Sequence, residues 1–151
     1  MKELFEKVEK ANIDALFISK IENVRYVTNF TGEDGFALVV PPNIYLIVDP
    51  RFTEQAQKEH RENVEVVEYR NGFLEVVEGI LSKHKVHFLG IEEYSMEVLT
   101  YRLLLGLGFL VLVPLKDFVE ELRMVKTEDE LQKIKEACNI STKAFIEAMK
   151  F

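Results

Sequence analysis

Several of the usual carriers of chemistry are scarce in this chain of 151 residues, which holds one cysteine, three histidines and no tryptophan. A lone Cys138 excludes an internal disulfide framework and suits a reducing, cytosolic compartment, where a buried structural thiol is its expected role. His84 and His87 are close in sequence, but they straddle a predicted helix end and the following strand and bring no neighbouring carboxylate. They are therefore expected to be ordinary, partly exposed histidines, and no metal site is expected in this chain. Phosphate-binding loops, dinucleotide fingerprints, nucleophile elbows and Cys-x-x-Cys pairs are all missing. The run Leu105-Gly106-Leu107-Gly108 closes a predicted helix instead of opening one, so it cannot cradle a phosphate. Long apolar runs are absent too: the greasiest stretch, Leu103 to Leu115, is too short to cross a bilayer. Met1 to Lys7 is charged where a secretory signal needs an apolar core. These features lead to the expectation of a cytoplasmic protein that does not engage membranes. A formal net charge of −7 with no basic stripe excludes a nucleic-acid partner.

What is present is an ordinary soluble balance, 48% hydrophobic and 30% charged, in a chain long enough for one domain with a real core. Leu4, Phe5, Val8 and Ala11 recur at helical spacing, predicting an amphipathic helix over Lys2 to Ala11 that Asn12 ends. Ala15 to Ser19 reads as a strand, and Glu22 to Thr28 as a short helical turn. Phe36 to Val40 and Ile44 to Val48 read as an antiparallel hairpin joined by Pro41-Pro42-Asn43. Gly32 and Gly35 bracket Glu33-Asp34 as a tight acidic tip whose glycines tolerate left-handed backbone angles. From Phe52 onward helix and strand alternate: helix to His60, strand Val64 to Tyr69, helix Gly72 to Lys83, strand His87 to Ile91. A helix over Ser95 to Gly106 and a strand over Leu110 to Val113, stopped by Pro114, complete the series. The pattern predicts an α/β fold with a mixed sheet of about six strands flanked by helices. After a short helix, Asp117 to Leu122, Thr127 and Glu130 form a capping box that opens a long linker helix running to Phe151.

The most informative stretch runs from Ile13 to Phe52. Asp14-Ala15 leads a strand, Asn23-Val24-Arg25-Tyr26-Val27-Thr28-Asn29-Phe30-Thr31-Gly32 follows, and Asp49-Pro50-Arg51-Phe52-Thr53-Glu54-Gln55-Ala56 opens a helix. This succession resembles the amino-terminal domain of the creatinase and prolidase family, which includes the Xaa-Pro dipeptidases and Xaa-Pro aminopeptidases. Asn29 stands where the family carries a small residue, and Glu33 where its aminopeptidases often carry serine. Glu120 to Glu130 resembles the family's junction, an Arg-x-x-Lys segment ahead of the catalytic domain. The resemblance implies a ribonuclease H-like α/β domain over 1–122, with 123–151 as linker and first helix of a cut-away catalytic domain. It also implies that the two divalent metal ions that activate water in the peptidases belong to that missing domain, with no cofactor in this chain.

On this resemblance the chain is the non-catalytic amino-terminal domain of a Xaa-Pro metallopeptidase. Its tasks would be oligomerisation and shaping the cleft for a proline-containing peptide. Tyr26, Glu33, Asp34 and Arg51 are the candidate rim residues. Each has a plainer alternative: Asp49 could cap the Phe52 helix while Arg51 pairs locally, Glu33-Asp34 could be a solvated turn, and Tyr26 could bury its ring. Leu131, Ile134, Cys138, Ser141, Phe145 and Ala148 form a stripe along the last helix. Leu131, Ile134 and Phe145 are the candidate contact of a homo-oligomer. Competing readings are a stand-alone interaction module of the same fold, a domain of a creatinase-like amidinohydrolase, and a nuclease. The nuclease would need acids at strand centres, whereas Asp14 and Asp49 lie at strand ends.

Overall fold

A computed structural model of the protein describes residues 1–150. Its centre is a six-stranded sheet in the order β4-β3-β2-β1-β5-β6. The strands are β1 (Ala15–Ile18), β2 (Phe36–Val40), β3 (Asn43–Val48), β4 (Val64–Glu68), β5 (Phe88–Glu92) and β6 (Val111–Leu115). β1 pairs antiparallel with β2, and β2 with β3, whereas β1–β5, β3–β4 and β5–β6 are parallel. The sheet is therefore mixed, as the single early hairpin predicted.

β1 lies between two neighbours and is covered on both faces, which is why all four of its residues are buried and apolar. Alternation along it divides the core in two. Leu16 and Ile18 pack with Leu4 and Val8 of α1 (Lys2–Lys10), Val24 and Val27 of α2 (Ile21–Thr28), Phe30, and Ala56 of α3 (Thr53–Glu59). Ala15 and Phe17 face the opposite layer, where Val77, Ile80 and Leu81 of α4 (Phe73–Lys83) and Leu104 of α5 (Val98–Leu105) close the second core. The chain then passes through α6 (Glu120–Met124) into α7 (Glu128–Ala148).

The departures from expectation have local causes. The hairpin turn consists of Pro41 and Pro42, joined by a cis peptide, and Asn43 already belongs to β3, opposite Val40. Glu22 to Thr28 is a full helix, closed by Asn29 at φ 70°. β6 runs through Pro114 to Leu115. Val111 N–H donates to His87 O and Glu93 N–H to Leu115 O, so alternate residues bond towards β5 while Pro114 turns its missing N–H to the open edge. α5 begins at Val98, not Ser95, and α6 lies at Glu120–Met124 instead of Asp117 to Leu122. The Thr127 capping box is present: Glu130 N–H donates to Thr127 Oγ1 at 3.3 Å and Thr127 N–H donates to Glu130 Oε2 at 2.8 Å. The expected run of that helix to Phe151 ends on a position outside the described residues. No residue of α7 is buried, so the expectation for Cys138 is corrected: its thiol is exposed, because nothing packs over its side of the helix.

Candidate functional site

The loop from Asn29 to Gly35 leaves α2 and is fastened to α3. Glu59 Oε2 accepts from Thr31 N–H at 2.7 Å and from Thr31 Oγ1 at 2.8 Å, while Asn29 Nδ2 donates to Glu59 O at 2.9 Å. The backbone N–H of Thr31, then its hydroxyl, hold the Glu59 carboxyl below its ordinary range. Beneath the loop Phe30 is fully buried and meets Phe52 edge to face, with ring centroids 6.1 Å apart. Gly32 lies against that ring, and a Cβ there would come within 2.1 Å of Phe30 Cζ. Gly32 is thus needed for close approach, not for the left-handed backbone expected of it.

This support places Glu33 and Asp34 in solvent. They share the rim of a hollow of about 260 Å³ with Ser19, Ser95, Glu97 and Thr100. It opens beside the carboxyl end of β1, the region where open α/β sheets place their ligands. Arg51 joins this group, with its guanidinium 3.6 Å from Asp34 Oδ2 and Nε donating to Asp49 Oδ2 at 2.9 Å. Asp49 Oδ1 also accepts from Arg51 N–H at 2.8 Å. The Asp49 carboxylate therefore closes an Asx turn on Arg51 and does not cap α3, which starts after Phe52 with no side-chain cap. The Arg51 hydrogen bond lowers the pKa of Asp49, and Asp49 in turn raises that of Arg51.

Tyr26 lies elsewhere. Its hydroxyl points towards Leu122 O at 3.4 Å, and its ring borders a hollow of about 270 Å³ with Arg123, Lys126, Glu130, Lys133 and Ile134. Burial raises its pKa. The sequence-derived set therefore divides, with Glu33, Asp34 and Arg51 on one rim and Tyr26 at the start of the linker helix.

A polar cluster that sequence reasoning did not anticipate joins these regions. Glu92 is buried at the end of β5, its Oε2 accepting from the N–H groups of Ser19 and Lys20 at 2.7 and 2.8 Å and its Oε1 from Asn23 Nδ2 at 2.6 Å. The fully buried Asn23 also donates to Glu120 Oε1 at 2.8 Å, and its Oδ1 accepts from Arg123 at 2.8 Å. Burial raises the Glu120 pKa, but hydrogen bonds from Lys20 and Asn23 outweigh this and hold it below its ordinary value. The signal available in the sequence was a carboxylate directly after an apolar strand, following Leu89-Gly90-Ile91.

Among the described residues no group of three or more His, Cys, Asp and Glu side chains is arranged to hold a metal ion. The candidates are otherwise engaged. His84 Nε2 pairs with Tyr45 Oη at 2.8 Å, His87 Nδ1 with Phe109 O at 2.8 Å, and Asp14 Oδ2 accepts from the N–H groups of His87 and Phe88. This donor set does not fit a divalent metal pair. Among the described residues no helix is long and apolar enough to cross a membrane.

Residues 1–125 match the Creatinase/Prolidase N-terminal domain family. The chain belongs to that family. It is 32% identical over 140 residues to an uncharacterized peptidase of Bacillus subtilis, covering 92% of this chain and 39% of that protein. It superposes on an Xaa-Pro dipeptidase from Bacillus anthracis with TM-score 0.92 at 27% identity, covering 99% of this chain and 42% of the other. An X-Pro aminopeptidase from Thermotoga maritima gives TM-score 0.82 at 30% identity, with 94% and 42% covered. The chain thus spans about two fifths of the length of these relatives. A creatinase/prolidase amino-terminal domain accounts for the mixed sheet and the early hairpin together, and α7 follows the matched residues.

Proposed function

We propose that this domain is the non-catalytic amino-terminal part of a cytoplasmic Xaa-Pro metallopeptidase, a dipeptidase or an aminopeptidase, acting on proline-containing peptides. The carrying observation is that nearly the whole chain aligns with about two fifths of an Xaa-Pro dipeptidase. In this reading 1–122 form the α/β domain and 123–151 lead to a catalytic part that holds two divalent metal ions and supplies the water that attacks the peptide bond. Glu33, Asp34 and Arg51 stand on the rim of the substrate cleft, with Tyr26 at the junction. Leu131, Ile134 and Phe145 of α7, all exposed, contribute to contact between copies in a homo-oligomer.

The chemistry assigned to the rim is electrostatic. Glu33, Asp34 and Glu97 border one hollow, and Arg51 offsets part of their charge, leaving a site that attracts the ammonium end of a short peptide. The test uses the full-length enzyme that carries this domain. Glu33→Gln with Asp34→Asn should raise KM for free-amine Xaa-Pro substrates by about two- to tenfold at low salt, with a smaller change when the amino group is blocked. An unchanged KM in a folded double variant would reduce these acids to a solvated turn. The 151-residue chain assayed alone with added divalent metal should hydrolyse Xaa-Pro peptides at background rate. Turnover that tracks the purified chain would overturn the non-catalytic assignment.

A further inference from the structure

α5 turns a hydroxyl inward where packing favours a hydrocarbon. Thr100 and Leu104 are four residues apart and share the inner face of the helix; Leu104 is fully buried in the second core, and Thr100 is 6% exposed. Among the described residues the Thr100 hydroxyl has no hydrogen-bond partner, yet its oxygen is not sealed off, because Thr100 lines the hollow of about 260 Å³ whose rim carries Glu33, Asp34 and Glu97. A valine would fill the same space without leaving a hydroxyl short of a partner, so the threonine is not explained by folding. Ser19 lines the same hollow, and its place is set from behind. Its N–H donates to Glu92 Oε2 at 2.7 Å and its Oγ to the same oxygen at 3.2 Å, with Glu92 only 5% exposed. A carboxylate can only accept, so the Ser19 hydroxyl spends its proton on Glu92 and keeps its lone pairs for the hollow.

We infer that this hollow is a site for a primary ammonium group, in which the exposed acids of the rim match the charge and the hydroxyls of Thr100 and Ser19, deeper in, accept its N–H donors. The chemistry of the acceptors carries the choice of ligand. The rim carboxylates are not arranged to hold a metal ion among the described residues, so the cation they attract has to reach the deeper oxygens on its own stem. A primary ammonium does this, with three N–H donors at the end of a carbon chain. A quaternary ammonium of equal charge brings no donor and would leave both hydroxyls unmatched. Ile21 and Phe36 on the wall offer that carbon stem an apolar surface. The inference rests on the proposed function for the peptide, and adds the residues that read its amine: Thr100 and Ser19 as direct acceptors, Glu92 as a positioning residue behind Ser19.

The experiment uses the full-length enzyme that carries this domain, and reads the KM of a primary-amine Xaa-Pro substrate beside the inhibition constant of its N-trimethylated counterpart, which keeps the charge and has no N–H. Thr100→Val removes the hydroxyl at nearly constant shape. It should raise that KM by about tenfold, at high salt as at low, because a hydrogen bond to a charged group is lost and not a screened attraction. The inhibition constant of the trimethylated compound should be unchanged, and Thr100→Ser, which keeps the hydroxyl, should retain the parent KM. In the 151-residue chain Thr100→Val should leave the urea midpoint unchanged or raise it, since a hydroxyl without a partner adds nothing to folding. A lowered midpoint would make Thr100 a structural residue and overturn the inference, as would an unchanged KM or an equal change for both compounds. Glu33→Gln with Asp34→Asn, measured alongside, separates this inference from the reading it rests on. An effect of the rim pair with none at Thr100 keeps the rim and removes the deeper acceptors; an effect at Thr100 alone keeps the acceptors without the rim; no effect in either removes both.

Discussion

Asn23 shows how much a single buried side chain can hold together. It is fully buried and uses both ends of its amide, donating to the carboxylates of Glu92 and Glu120 and accepting from Arg123. The sequence marked Asn23 as part of the motif before Tyr26, but its role was illegible there because its partners lie 69, 97 and 100 residues away. Rim acids were easier to read, since glycines on both sides and polar composition already require exposure. Gly32 was located correctly but for the wrong reason, because the ring it must clear belongs to Phe30 two residues earlier and backbone patterns do not reveal ring placement. Replacing Asn23 by Ala removes one donor from two carboxylates and the acceptor of a guanidinium in a buried setting. That change should cost about 2–4 kcal/mol of folding stability. Urea denaturation at neutral pH measures it, and a loss under about 0.5 kcal/mol, the scale of an ordinary surface substitution, would mean that water replaces the network.

Whole elements were more legible than their ends. All six strands follow from stretches of four to six residues rich in apolar side chains, and the mixed character follows from one hairpin among helical crossovers. Pro114 misplaced the end of β6 because a proline stops a central strand but is tolerated at an edge, and edge position is a property of the assembled sheet. Cys138 was misjudged for a related reason: the stripe on α7 has helical periodicity, and periodicity predicts which side of a helix is apolar, not whether anything covers it. The start of α7 was read correctly because a capping box is wholly local. With no tertiary burial to hold this helix, its first turn depends on Thr127 and Glu130. Thr127→Ala should therefore lower the stability of that turn by about 1 kcal/mol, seen as faster amide exchange at Glu130 and Leu131 with the sheet unaffected. Equal exchange in both proteins would show that α7 is held by something other than its cap.

At the scale of the molecule, folding leaves several carboxyl groups more acidic than they are in the unfolded chain, and this fixes the sign of the response to acid. Asp49 is held below its ordinary 3.8 by Arg51, and Glu59, Glu68 and Glu130 below 4.5 by the N–H or hydroxyl groups of Thr31, Thr53 and Thr127. Glu120 is also held below 4.5, its burial outweighed by Lys20 and Asn23. For each, the unfolded chain binds the proton first as pH falls. Their stabilising contribution is complete well above 4.5 and drains away below it, as pH passes from the unfolded towards the folded pKa. Net charge acts differently: at −7, mild acidification relieves self-repulsion and opposes any loss. The two effects occupy different ranges, so the urea midpoint should stay flat or rise slightly from pH 7 to about 5 and then fall steeply below about 4.5, where protonation of the paired carboxyls dominates. Glu120→Gln should be less stable at neutral pH yet show a shallower acid limb, because one of the groups that creates the slope is gone. A midpoint that declines evenly from pH 7, or an acid limb unchanged in Glu120→Gln, would mean that general charge and not these specific hydrogen bonds governs acid stability.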